Sequence, residues 1–245
     1  MKSIDKLLLE IEKWINEIKS KRPLNSTELK ELQKSLWIMF TYHSNAIEWN
    51  SISLWETKMI LEDWITIWWK TIRELQETLN HKDLLIFLNK FISENQEIDE
   101  KLIKYIHSLV MKNIDENAWE YRKIQVYITW EEILPPKANL IPKLMTELLN
   151  KYDFSDYKNI ALKVAEFHYD FVKIHPFIDW NWRTIRLILN MILMKHWFPM
   201  IIIPVVRRLD YIWSLNSLKN KNDFVQVLLD IINENIKDYL RMIEV

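Results

Sequence analysis

The chain has 245 residues, 49% of them hydrophobic, enough to bury a sizeable core. With 33 basic against 34 acidic residues the net charge is −1, so no global field draws it to nucleic acid or to an anionic membrane. Zero cysteines exclude disulfides and thiolate metal sites, and with neither a signal-peptide core nor a membrane-length apolar run the expectation is a cytoplasmic protein.

In chain order, Leu7, Leu8, Ile11, Trp14, Ile15 and Ile18 form one apolar stripe at helical spacing. Asn25-x-x-Glu28 starts a second helix after Pro23, expected to run to about Thr41, with a further short helix over Tyr42–Glu48. Ser53-x-x-Glu56 is a capping box for a helix at 54–63, and helices follow at about 70–92 and 99–113. The period then changes. Lys123–Ile128 and Glu132–Leu134 alternate around Thr129-Trp130, which reads as a small β-hairpin stopped by Pro135-Pro136. Helices resume at about 139–151, 156–174, 182–196, 206–219 and 222–243. The fold class is mainly α, a helical bundle with a small β-hairpin. No repeat or low-complexity linker interrupts it, so one compact domain with an N-terminal helical extension is the simplest partition. The expected parts are an N-terminal helical region at 1–98, a core at 99–204 and C-terminal helices at 205–245 packed on that core.

Glycine is absent and tryptophan occurs 13 times, although average usage would put roughly 17 glycines in this length. Several tryptophans stand where a backbone asks for glycine: Trp64 behind the helix ending at 63, Trp197 ahead of Phe198-Pro199, and Trp130 at the hairpin tip. Either these tryptophans are genuine, or a glycine codon has been read as tryptophan, as a non-standard genetic code would produce. The second is preferred, because a bulky residue at positive φ is strained.

The segment His175-Pro-Phe-Ile-Asp-Trp-Asn-Trp-Arg-Thr-Ile-Arg186 gathers a histidine, a carboxylate, an amide and two arginines in twelve residues. A loop entering a helix N-terminus presents unpaired N–H groups and the positive end of the macrodipole, so anions bind there. Arg183 and Arg186 lie three residues apart on one helix face, within reach of a polyphosphate. Asp179 makes sense facing phosphates if it holds Mg²⁺, and Asn181 can donate from its amide. His175 is the one group here able to take a proton near neutral pH. Singly, each has a bland reading as a packing residue or a solvated face; together they point to attack of a hydroxyl on a nucleotide phosphorus. His43, His81, His107, His168 and His196 show no metal-ligand spacing, and His168 reads as a packed core residue.

The segment resembles the Fic motif, HPFx[D/E]GNGRxxR, with Trp180 and Trp182 in place of its two glycines. Thr41–Asn50 resembles the family's inhibitory segment, [S/T]xxxE[G/N], through Ser44 and Glu48, and the hairpin 123–134 resembles its target-docking flap. The likeness runs from about residue 35 to 200. It implies a Fic-type helical bundle that transfers AMP from ATP to a Ser, Thr or Tyr hydroxyl of a target protein, with no nucleic-acid or membrane partner and with a homodimer left open. Carried over, His175 is the general base and Asp179 binds Mg²⁺ at the α- and β-phosphates. Asn181, Arg183 and the loop N–H groups hold phosphates, Arg186 orients the γ-phosphate, and Trp180 and Trp182 mark the anion hole, which indoles obstruct. Glu48 would pair with Arg186 and hold ATP unproductively, Ser44 would fix that helix, and Ile124, Val126 and Ile128 would line the docking flap or simply cover the core. Two alternatives stay open: Glu48 positioning water to remove AMP at the same site, and a catalytically dead scaffold if Trp180 and Trp182 are genuine. A transcription regulator is weaker, since 206–243 reads as two amphipathic helices.

Overall fold

The structure, a computed structural model, describes residues 2–21, 26–94, 96–128, 134–215 and 220–243. Ten α-helices run through these residues: α1 (Ile4–Ser20), α2 (Ser26–Ile47), α3 (Leu54–Asp63), α4 (Ile72–Ser93), α5 (Glu100–Val110), α6 (Ile141–Lys151), α7 (Ile160–Ile174), α8 (Asn181–Lys195), α9 (Arg208–Ser214) and α10 (Lys221–Ile243). Side chains that favour caps begin several of them. Ser3 caps α1 and Asp99 caps α5, while Ser53 with Glu56 and Thr71 with Glu74 close full capping boxes on α3 and α4.

Four boundaries depart from the sequence expectation, each for a local reason. α2 is continuous through the break expected near Thr41: no proline interrupts it, and Phe40 and Ile47, seven residues apart, bury the same face. Ser44 therefore sits inside α2 and Glu48 just past its end. α5 stops at Val110 because Asn113 is left-handed and Asn80 collects the carbonyls of Val110 and Lys112 at 2.9 and 2.8 Å. α7 starts at Ile160, not 156, because Asp153 and Asp156 accept the N–H groups of Ser155 and Lys158 in tight turns and Asn159 is left-handed. α9 is short, preceded by a 3₁₀ turn at Val205–Arg207, and 216–219 lie outside the described residues. No strand pairing occurs among the described residues. The expected hairpin tip, with Thr129, Trp130 and Glu132, also lies outside them. At its base Gln125 Nε2 donates to the Pro135 carbonyl at 3.0 Å.

α8 is the axis of the molecule. From Asn181 to Leu193 only Trp182 escapes full burial, the signature of a helix enclosed on all sides. α2, α4, α5 and α7 pack around it, α10 covers α7 and α9, and α1 lies along α10. The main core cluster joins residues from Leu7 to Leu240, so α1 and α10 pack into the body that holds α8, and Ile52, Ile60 and Ile67 form a second, smaller cluster. No described helix is long and apolar enough to cross a membrane.

The loop α7–α8 and several helix ends need left-handed backbone. Among the described residues the non-glycine positions at positive φ are Trp49, Trp64, Asn113, Asn159, His175, Trp180 and Trp197. Asparagine tolerates this region, but tryptophan gains nothing from it. Trp49, Trp64 and Trp197 are also exposed, at 75%, 68% and 64%. Exposed indoles on left-handed backbone are what the codon reading expects. Trp64→Gly should therefore be more stable than Trp64→Ala by about 1 kcal/mol in urea unfolding; the reverse order would show that the left-handed cap at 64 asks for no glycine. The source codons and tRNA set decide the reading directly, with one shared codon expected at 49, 64, 180, 182 and 197.

Candidate active site

The loop 175–180 leaves α7 and enters α8. His175 terminates α7 with φ 51°, its N–H donating to the Phe171 carbonyl at 3.0 Å, and Trp180 opens α8 with φ 59°. Two left-handed residues thus fold the chain into a hairpin-like turn over the amino end of α8. No side chain caps that end. The first N–H groups and the dipole of a buried helix face the loop, which is an anion site in waiting.

Asn181, expected to donate to a phosphate, has its amide closed on the loop. Its Oδ1 accepts the Phe177 N–H and its Nδ2 donates to the Phe177 carbonyl, both at 2.9 Å. Two residues not singled out from the sequence complete the scaffold. Arg122 donates from Nε to the His175 carbonyl at 2.8 Å, and from its two Nη to the carbonyls of Ile124 and Pro136 at 3.0 and 2.5 Å. It ties the loop 175–180 to the backbone at 124 and 136. His107 stacks flat on Phe177, centroids 3.7 Å apart, with Nε2 3.0 Å from the Asp179 carbonyl oxygen. Nothing in the one-dimensional pattern marked either, since a lone arginine before a strand and a histidine on an amphipathic helix are unremarkable until the loop folds onto them.

His175 is buried, and burial, then the nearby Arg122 charge, pushes its imidazole down to about 4. It is neutral at physiological pH and so able to accept a proton. Asp179 is half-exposed at the mouth. Its Oδ1 accepts the Trp180 N–H at 2.8 Å and its Oδ2 meets Arg73 Nη2 of α4 at 3.2 Å.

Both arginines of α8 are turned inward and paired. Arg183 donates to Asn45 Oδ1 at 2.9 Å and to Glu77 Oε2 at 3.0 Å. Arg186 donates from Nε to Ser44 Oγ at 3.1 Å and from Nη2 to the Ser44 carbonyl and to Glu48 Oε1, each at 2.9 Å. The contact of Glu48 with Arg186 anticipated from the sequence is thus present, with Ser44 beside it. Nη1 of Arg186 and Nε of Arg183 are buried with no hydrogen-bond partner among the described residues. The Trp180 indole lies between two guanidiniums, 4.4 Å from Arg183 and 5.7 Å from Arg73, filling the hollow that a glycine would leave open. Trp182 sits in the first turn of α8 and packs edge-on against Tyr211 at 5.5 Å. In the flap, Ile124 is exposed at 60% while Val126 and Ile128 are half-buried.

One short loop thus joins a buried histidine to the uncapped amino end of a buried helix, an arrangement suited to anions. The Fic/DOC family model matches residues 97–193, which include the whole loop. Protein adenylyltransferase fic-1 of Caenorhabditis briggsae is 34% identical over 227 residues, covering 88% of this chain and 44% of the relative. Protein adenylyltransferase Fic of Drosophila persimilis is 32% identical over 223 residues, 88% of this chain and 43% of the relative. The solved structure of Fic-1 from C. elegans superposes with a TM-score of 0.87 at 30% identity, covering 98% of this chain and 72% of that one. A Fic domain containing signaling protein from Bacteroides thetaiotaomicron shares the fold alone, with a TM-score of 0.84 at 23% identity. The chain belongs to the Fic/DOC family. It spans less than half the length of the curated relatives it matches.

By NMR the His175 imidazole should titrate near pH 4, well below the ordinary 6.5. Because the fold favours the neutral ring, its stabilising contribution is complete above pH 6.5 and fades as pH falls toward 4. Titration at the ordinary value would mean that solvent reaches the ring and that the loop is open.

Proposed function

We propose that the chain is a protein adenylyltransferase that moves AMP from ATP to a hydroxyl side chain of a target protein and is held in check by Glu48. The observation that carries this reading is the neutral, buried imidazole of His175 set across the loop from the uncapped amino end of α8. The relatives named protein adenylyltransferase, matched across 88% of the chain, support it.

His175 takes the proton of the target hydroxyl as that oxygen attacks the α-phosphorus of ATP; the bond to the β-phosphate oxygen breaks and pyrophosphate leaves. The loop and the first N–H groups of α8 stabilise the charge that grows on the phosphoryl oxygens. Asn181 holds the loop in the shape that exposes those groups, and Arg183 anchors the amino end of α8, because each already has protein partners. Arg186, whose Nη2 meets the partly exposed Glu48, is the guanidinium best placed to meet the γ-phosphate once Glu48 withdraws. Asp179 suits Mg²⁺, since a single accessible carboxylate is what a magnesium ion needs when substrate phosphates supply further ligands. Bound there, the ion would neutralise phosphate charge. An extended target segment can pair along 123–128, whose base Arg122 fixes to the His175 loop.

Inhibition follows from charge. Glu48 occupies Nη2 of Arg186, so a γ-phosphate and Glu48 compete for one guanidinium. With tryptophan at 180 the space beside Arg183 is filled, so the reading applies to the chain bearing glycine at 49, 64, 180, 182 and 197, referred to below as the glycine chain.

Incubated with labelled ATP and a lysate, the glycine chain should label protein and His175→Ala should not; equal labelling by both would remove His175 from the chemistry. Glu48→Gly should raise auto-AMPylation by about tenfold or more, with unchanged labelling dismissing the inhibitory role. By calorimetry, glycine at 180 and 182 alone should tighten ATP binding by at least about tenfold over the tryptophan chain, and equal affinities would mean that the indoles leave the phosphate site clear.

A further inference from the structure

Glu77 of α4 lies outside the motif and outside α2, yet it is the hub of the site's hydrogen bonds. It is buried, and its carboxylate accepts from Arg183 Nη2 at 3.0 Å, from Asn50 Nδ2 at 2.9 Å and from Arg73 Nε at 3.3 Å. Asn50 in turn fixes the chain just past Glu48, donating also to the Glu74 carbonyl at 3.2 Å and accepting the Ile52 N–H at 2.9 Å. Arg183 reaches back from the other side to Asn45 at 2.9 Å. The segment 45–50 is therefore gripped at both ends through one carboxylate, directly at Asn50 and by way of Arg183 at Asn45. Glu48 lies between the two grips.

We propose that Glu77 is a positioning residue that latches the Glu48 segment of α2 onto α8. The inference rests on the inhibitory role assigned above to Glu48. Glu77 could be no more than the counter-ion of Arg183, but charge pairing gives no reason for the neutral Asn50 amide to seek the same carboxylate oxygen. Nor does the pair of Glu48 with Arg186 hold the segment by itself, since Glu48 is 30% exposed and a partly solvated ion pair is weak. The buried latch supplies what that pair lacks. ATP then meets a segment whose release requires breaking contacts at 45 and 50 in addition to those of Arg186 with Ser44 and Glu48.

The test uses the glycine chain with Glu77→Gln and, separately, Asn50→Ala, which cuts one grip without uncovering the Arg183 charge. Two readouts are taken: amide hydrogen exchange across 44–50 and auto-AMPylation. Both variants should lose protection in this segment and gain roughly three- to tenfold in activity, the population shift expected from losing one buried hydrogen bond. Neither should add to the gain of Glu48→Gly, because all three release the same brake. Unaltered protection in Asn50→Ala overturns the latch even if Glu77→Gln does not fold. A gain that persists in the Glu48→Gly background also overturns it, placing Glu77 in the chemistry instead. If protection is lost but neither Glu48→Gly nor the latch variants gain activity, the inhibitory reading of Glu48 fails while the latch itself stands.

Discussion

Two guanidiniums on a wholly enclosed helix set the terms for the rest of this molecule. Arg183 and Arg186 are each 2% exposed, and a buried charge without partners is too costly to keep. Removing Glu77, the buried carboxylate partner of Arg183, would cost about 3–5 kcal/mol, a large share of the stability of a domain of ordinary size. α8 can therefore lie at the centre only if neighbouring helices bring carboxylates and amides to it. α2 brings Ser44, Asn45 and Glu48, and α4 brings Glu77. The packing of α2 and α4 against α8 and the chemistry of the site are thus one arrangement. Under the proposed activity, the groups that satisfy the arginines at rest are those a triphosphate would have to replace or leave in place.

The same economy appears in the loop. His175 and Trp180 take left-handed backbone so that the chain can turn back over the amino end of α8, and Asn181 closes that turn with both ends of its amide. His107 and Arg122 hold it from α5 and from the flap base. A loop with so many fixed points keeps its N–H groups aimed, which is what electrostatic catalysis would require of it under the proposed activity. Burial that keeps the imidazole neutral fits the proposed role, since a protonated ring could not act as a base.

Tryptophan at left-handed positions runs against this logic throughout. At 49, 64 and 197 largely exposed indoles stand on backbones that suit glycine, those at 49 and 64 met by Arg208 and Lys82, and at 180 the indole occupies the hollow beside Arg183. The exposed aromatic surface around 49, 55, 64, 68 and 69 is accordingly poor ground for a docking site. An absence of glycine from 245 residues and a backbone that repeatedly calls for it would share one cause if a glycine codon has been read as tryptophan.

The sequence by itself determined the helical architecture, most helix starts and the membership of the loop, because capping residues, apolar period and a dense twelve-residue motif act over short range. It also placed Ser44 and Glu48 opposite Arg186, but through resemblance to a family and not through any local signal. It missed the unbroken course of α2, since Tyr42–Glu48 looked like a separate unit until Phe40 and Ile47 were seen to share one buried face. Only the tertiary structure decided that the Asn181 amide folds the loop, that Arg183 answers to Glu77 across 106 residues, and that Arg122 and His107 brace the site. Those contacts join residues far apart in the chain. Which distant partner satisfies a buried charge depends on how the helices pack, and no local pattern encodes that.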